Sequence, residues 1–184
     1  MQNEQVKVAL FDYDGTLIDS LGLSSFKEGE TFDWEKFMIN SMDKCTFQST
    51  WDLMHEYQAE GIVCIICTAR PDVFDALTYQ DIIKRNLGED MVVLRDEKLW
   101  RDELKALEGV TDENDIRRIA HEHHALYRSL IIDDLEEHFG AGCILYAVDD
   151  QTKNLDTFAA RGIECKLVTD GIISDYVMEG GDGS

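Results

Sequence analysis

Residues 6–17 read VKVALFDYDGTL. The apolar run Val8–Phe11 is short, with β-branching at Val6 and Val8 and no polar alternation. Such a run describes a strand buried on both faces of a parallel sheet. Side chains at i and i+2 of a strand point the same way, so Asp12 and Asp14 are expected to leave its carboxyl end together. That end is where open α/β sheets bind ligands. Gly15 permits a sharp turn, and Thr16 offers a hydroxyl and an N–H to an anion. Asp-Gly is common turn chemistry, but a surface turn does not need two carboxylates at the end of a buried strand.

Two further apolar runs repeat this layout. Ile62–Cys67, IVCIIC, is a second buried strand, ending in Thr68-Ala69-Arg70-Pro71. Cys143–Val148, CILYAV, is a third, ending in Asp149-Asp150. About 45 residues separate the first two strands, enough for a small flap and one helix but not for a large cap. The helix is Ser49–Glu60, with Trp51, Leu53, Met54 and Tyr57 as its apolar face and Gly61 as its stop. The flap falls within residues 18–48, where Phe32, Trp34, Phe37, Met38 and Met42 suggest a short helix.

Pro71, the only proline, suits the first turn of a helix over Asp72–Asn86 that closes at Gly88, with Val73, Leu77, Ile82 and Ile83 inward. Met91–Leu94 is a short strand, and Arg95–Glu108 a charged helix with Leu99, Trp100, Leu104 and Leu107 on one side. A long helical pattern starts at Thr111 and runs through Ile131-Ile132-Asp133-Asp134 towards Phe139. His121, His123 and His124 lack the i, i+4 spacing that would join two ligands on one helix face, so zinc is not expected there. Gln151–Arg161 is a helix closed by Gly162, Ile163–Val168 is a last strand, and the tail over 169–184 is expected to be mobile. Residues 1–168 are thus read as one domain.

The 184 residues are 44% hydrophobic and 30% charged, an ordinary globular composition. No apolar run approaches the ~18 residues of a membrane helix. The start, MQNEQVKV, lacks a signal layout, so a cytoplasmic protein is expected. Five cysteines, mostly in apolar strands, agree with that. Cys64 and Cys67 form CIIC within a strand and should face opposite ways, as structural thiols rather than a redox or zinc pair. The net charge of -21 repels nucleic acid at long range, so no extended nucleic-acid surface is expected. It favours a small substrate, or a locally basic mouth on an acidic body.

DYDGTL resembles the first motif of the haloacid dehalogenase (HAD) superfamily of phosphohydrolases. The resemblance implies an α/β Rossmann-like, doubly wound parallel sheet with a minimal cap, and extends over Val6–Val168. It implies that Asp12 attacks phosphorus to give an aspartyl-phosphate, that Asp14 protonates the leaving oxygen and then activates water, and that Mg²⁺ lies between them. Thr68 takes the family's second-motif position, hydrogen-bonding the transferring phosphoryl group. Thr68-Ala69-Arg70 is similar to the Ser-Gly-Arg of the phosphatase half of phage-type polynucleotide kinases, where the Arg contacts phosphate. Phosphate binding is therefore expected from Thr16, Thr68, Ala69 and Arg70. The third motif, a Lys or Arg on a helix some twenty residues before the last acids, fits Arg128; Lys84, Lys105 and Arg118 fit less well. Asp150 takes the position of the metal-binding Asp and Asp149 the one before it. Asn154 stands where many members carry another acid. With Asp12 and the main-chain carbonyl of Asp14, these residues are the expected Mg²⁺ ligands.

The expected activity is Mg²⁺-dependent phosphomonoester hydrolysis, because superfamily ATPases usually carry Thr in place of the second Asp. The substrate is expected to be a phosphorylated small molecule or a nucleic-acid end, with a 3′-phosphate favoured by the similarity of Thr68-Ala69-Arg70. A 5′(3′)-nucleoside monophosphate phosphatase, or a non-catalytic phosphate-binding module, is the alternative. For a nucleic-acid end, Lys27, Arg95 and Arg101 would track the adjoining backbone. No membrane partner is expected, and the oligomeric state is open.

Overall fold

The computed structural model describes residues 5–20, 22–23, 27–28, 31–108 and 124–178. A sheet with strand order β5-β4-β1-β6-β7-β8 forms its centre. These strands are β1 (Val8–Phe11), β4 (Val63–Pro71), β5 (Met91–Arg95), β6 (Ile144–Asp149), β7 (Glu164–Thr169) and β8 (Ile172–Tyr176). All neighbours pair in parallel except β7 and β8. A separate two-stranded hairpin joins β2 (Lys27–Glu28) to β3 (Thr31–Phe32).

Alternation along the central strands feeds two cores. Val8, Leu10, Ile65 and Cys67 point to one face, under α4 (Glu97–Glu108), α5 (His124–Phe139) and α6 (Thr152–Ala159), which supply Trp100, Ile131, Ile132, Leu155 and Phe158. Ala9, Phe11, Cys64 and Ile66 point to the other, under α2 (Gln48–Ala59) and α3 (Asp75–Arg85), which supply Met54, Tyr57 and Ile82. Helices on both faces explain why β1 and β4 read as unbroken apolar runs. They also place Cys64 and Cys67 on opposite faces. Burial pushes the Cys67 thiol up to about 11 and the Cys64 thiol up to about 12, as for inert structural thiols.

The flap helix α1 (Trp34–Ser41) starts where the Asp33 carboxylate accepts from the Lys36 N–H at 3.0 Å. Its Phe37 and Met38 pack with Leu23, Phe74 and Leu77.

Several expectations differ from the fold. The second strand runs on to Pro71, with a register irregularity between Thr68 and Pro71. A 3₁₀ turn over Asp72–Phe74 precedes α3, which ends at Asn86 in the left-handed conformation rather than at Gly88. Val73 and Ile83, expected inward, are 70% and 74% exposed; the inward face carries Thr78, Asp81 and Ile82. The helical reading of Ile131–Asp134 agrees with α5, but residues 109–123, including Arg118, His121 and His123, lie outside the described residues. So do the side chains of Lys105 and His124.

The tail expected to be mobile instead supplies β8. Asp170 and Gly171, at φ 50° and 76°, form the two-residue turn between β7 and β8. The Ser49 hydroxyl donates to the Gly171 carbonyl, tying this hairpin to the start of α2. Among the described residues, no helix is long and apolar enough to cross a membrane.

Candidate active site at the carboxyl ends of β1, β4 and β6

β1 ends at Phe11, and the chain then turns through Gly15 at φ 90°. The turn closes by Gly15 N–H to the Ile18 carbonyl and by Leu17 and Ile18 N–H to the Tyr13 carbonyl. The β1–β6 ladder ends with the Asp12 N–H on the Val148 carbonyl at 2.9 Å and the chain turns beyond it, so strand alternation does not carry through to Asp14. The two carboxylates therefore diverge, instead of leaving the strand side by side.

Asp12 turns towards α5. Its Oδ1 accepts from Arg128 Nη2 at 2.6 Å. The same nitrogen lies 3.1 Å from Asp149 Oδ2, while Nη1 donates to the Cys67 carbonyl at 2.8 Å. Arg128 is 3% exposed, so one buried guanidinium joins the ends of β1, β4 and β6. Burial opposes its charge, but Cys67, Asp149 and Asp12 hold its proton affinity well above the usual value.

Asp149 is the last residue of β6 and is wrapped by donors. The Gln151 N–H donates at 2.8 Å and Asn154 Nδ2 reaches both oxygens at 3.0 Å. Asn154, which departs from the resemblance as a metal contact, here clamps Asp149. Asp150 has one oxygen bonded by Gln151 Nε2 at 2.8 Å; its Oδ1 is buried and finds no partner among the described residues. Carboxylate oxygens of Asp12, Asp149 and Asp150 all lie within 4.8 Å of one another. Burial first, and mutual repulsion second, raise the proton affinity of Asp12; burial and Asp150 do the same for Asp149, and Asp150 is pushed up to about 7. Close carboxylates of this kind, one with an orphaned oxygen, form a hard oxygen donor set that could hold a metal ion.

Asp14 does not join that set. Its two oxygens accept from Arg70 Nε and Nη2, each at 2.8 Å. Arg70, expected to face substrate phosphate, is 0% exposed and turned inward. Its Nη1 reaches Asp81 at 3.3 Å, Nη2 reaches Ser41 Oγ at 2.8 Å, and its guanidinium lies 4.6 Å from the Tyr13 ring centre. The reason is charge: Asp14 and Asp81 both meet it, and an exposed position would leave Asp81, which is fully buried, with Arg85 as its one cation.

Thr68 is buried, with its hydroxyl accepting the Arg70 N–H at 3.2 Å and its carbonyl accepting the Tyr127 hydroxyl at 2.6 Å. Ala69 is half-buried between them. Thr16 is fully buried; its carbonyl accepts from Thr50 at 2.8 Å, and its own hydroxyl finds no partner among the described residues. Arg95 and Arg101, expected near a nucleic-acid backbone, both bond Glu97, and Arg95 stacks over Trp100 at 4.3 Å. Lys84 bonds the Met42 carbonyl at 2.8 Å and the Asp43 carboxylate at 3.3 Å at the surface. Ser41, Asp81, Arg85 and Tyr127 were not among the expected site residues. Only the Asp81/Arg85 spacing of i, i+4 on one helix could have drawn notice.

No family model matches the chain, and no curated protein matches it. Solved structures do. A structure of a Pnkp1/Rnl/Hen1 complex aligns with a TM-score of 0.55 at 14% identity, covering 90% of this chain and 47% of that one. A structure of the Pnkp1/Rnl/Hen1 RNA repair complex aligns with a TM-score of 0.55 at 16% identity, covering 91% of this chain and 44% of that one. The chain spans less than half the length of these neighbours, and at such identity the likeness is one of fold.

Proposed function

We propose that the chain is a HAD-type, Mg²⁺-dependent phosphomonoesterase acting on a nucleotide or nucleic-acid-end phosphate, with the 3′ end favoured. The observation that carries this reading is the gathering of Asp12, Asp149 and Asp150 at the ends of adjacent strands, within reach of one cation, with Arg128 bridging Asp12 and Asp149. Asp12, Asp149, Asp150 and the Asp14 carbonyl would hold Mg²⁺. When bound, the ion neutralises charge between the carboxylates and the phosphate.

The chain's own residues account for the chemistry. An oxygen of Asp12 attacks phosphorus while the ester P–O bond breaks, and the leaving oxygen takes a proton from Asp14. Water then attacks the phosphorus of the aspartyl-phosphate, giving its proton to Asp14 and freeing inorganic phosphate and Asp12. The Arg70 fork occupies one lone pair on each Asp14 oxygen, which leaves others for proton transfer. Arg128 holds Asp12 in place through Oδ1 and opposes the burial that raises its proton affinity, which leaves Oδ2 as the attacking oxygen. The buried hydroxyls of Thr16 and Thr68, with the N–H of Ala69, are the proposed phosphoryl donors.

The 3′-end substrate rests on the similarity of Thr68-Ala69-Arg70 to phage-type polynucleotide kinases and on likeness to chains of an RNA repair complex. A nucleoside monophosphate is the second reading, favoured by the engagement of Arg95 and Arg101 with Glu97. A screen over 3′- and 5′-phosphorylated oligonucleotides, mononucleotides and sugar phosphates, with and without Mg²⁺, tests both. Affinity that falls steeply with salt marks the nucleic-acid end; a flat response marks the mononucleotide.

A further inference from the structure

Behind Asp14 lies a buried charged network that none of the steps above requires. Asp81, on α3, is 0% exposed and accepts from two arginines: Arg70 Nη1 at 3.3 Å and Arg85 Nε at 2.7 Å. Arg85 also donates to three groups at and after the end of α1: the Ser41 carbonyl at 2.7 Å, the Lys44 carbonyl at 2.7 Å and Thr46 Oγ1 at 3.3 Å. Ser41 Oγ takes an Arg70 N–H at 2.8 Å and donates to the Met38 carbonyl at 2.8 Å. The chain of contacts thus runs from the flap helix, through Arg85, Asp81 and Arg70, to both oxygens of Asp14.

We infer that Asp81, with Ser41 and Arg85, is a positioning device for Asp14, fixing through Arg70 the carboxyl that serves the leaving group. The inference rests on the phosphatase reading. A guanidinium–carboxylate fork sets the plane of the carboxylate as well as its place. The fork is only as fixed as the guanidinium, and Asp81 and Ser41 hold that on the sides away from Asp14. Stability alone is a weak reason for such a network, since buried ion pairs are often matched by apolar packing of the same volume. Asp81 and Arg85 touch neither Asp12 nor Asp149, so their effect on chemistry must pass through Asp14.

Leaving-group dependence tests this. A ribose or deoxyribose oxygen needs a proton as it departs, whereas 2,4-dinitrophenolate does not. kcat/KM reports only steps up to formation of the aspartyl-phosphate, so later use of Asp14 does not enter. Asp81→Asn should lower kcat/KM for a 3′-nucleotide ~10–100-fold, part of the full general-acid contribution. For 2,4-dinitrophenyl phosphate the loss should stay within ~3-fold. Asp14→Asn sets the full size of this signature. Ser41→Ala, which removes no charge, should show it in weaker form and carries the test if Asp81→Asn does not fold. Equal losses on both substrates, or no loss, overturn the positioning role while leaving the phosphatase reading intact. Failure of the wild-type chain to hydrolyse either phosphate with Mg²⁺ removes that reading, and this inference with it.

Discussion

Replacing Arg128 with Met removes one buried guanidinium from three acceptors. Asp12 loses a 2.6 Å bond, Asp149 a 3.1 Å contact and the Cys67 carbonyl a 2.8 Å bond. Breaking a buried ion pair by deleting one partner costs ~3–5 kcal/mol, because the remaining charge stays buried. Asp149 keeps its Gln151 and Asn154 donors and burial already raises the proton affinity of Asp12, so the expected loss lies at the lower end of that range. With a urea m-value of about 2 kcal/mol/M, the midpoint should fall by ~1.5 M at pH 7.5 without metal. Saturating Mg²⁺ should recover part of the loss, since a cation among the carboxylates replaces the missing charge. The double variant Asp12→Asn/Arg128→Met should be more stable than Arg128→Met alone, with a coupling of ~0.5–3 kcal/mol. Equilibrium urea unfolding followed by far-UV circular dichroism measures all three. A loss below ~1 kcal/mol for Arg128→Met, where a solvated surface charge would fall, would falsify the account of Arg128 as the counterion of this site.

Three other outcomes follow from the geometry. Asp150→Ala should abolish the stabilisation by Mg²⁺ seen in thermal melts, whereas Asp133→Ala, which removes an exposed partner of Arg161, should leave it unchanged; the reverse result would move the metal site to α5. Asp12, Asp149 and Asp150 have folded-state proton affinities above the ordinary carboxylate value, so the folded chain binds the more protons as pH rises from about 4 to about 8. Their contribution to stability therefore falls across that window without metal; the fall should be shallower in Asp150→Asn and in saturating Mg²⁺, and identical Tm-versus-pH slopes would contradict this. At Gly171, with φ 76° and an added Cβ only 2.6 Å from the Phe47 ring, Gly171→Ala should destabilise by ~1–3 kcal/mol, and a neutral result in urea unfolding would mean that the hairpin does not dock on α2.

What the sequence made legible follows from local periodicity. Val8–Phe11 and Ile62–Cys67 read correctly as strands because both faces are buried, so the pattern has no polar interruption. Ile131–Asp134 read correctly as helix because its apolar spacing continued a longer pattern. β8 was missed although Asp170-Gly171 is a strong two-residue hairpin signal; the strand is mostly exposed, so Ile172-Ile173-Ser174-Asp175-Tyr176 lacks a buried face to mark it. The direction of Asp14 was misread by extending strand alternation past the point where β1 ends. Arg70 was misplaced because its partner Asp81 lies eleven residues away on a helix, and no local pattern shows that a polar residue turns inward. Buried charge is a property of tertiary pairing, so Asp81, Arg85 and Ser41 became visible only once α1, α3 and β4 were in place.

The most direct test of the central claim is release of inorganic phosphate from a 3′-phosphorylated oligonucleotide, by the wild-type chain and by Asp12→Asn, with Mg²⁺ and with excess chelator. The account predicts turnover by the wild type that disappears with the chelator. It predicts no detectable turnover by Asp12→Asn, whose neutral amide cannot form the acyl-phosphate, and whose circular dichroism spectrum should match the wild type. Near-wild-type rates from Asp12→Asn, or no Mg²⁺-dependent release from any phosphomonoester by the wild type, would contradict it.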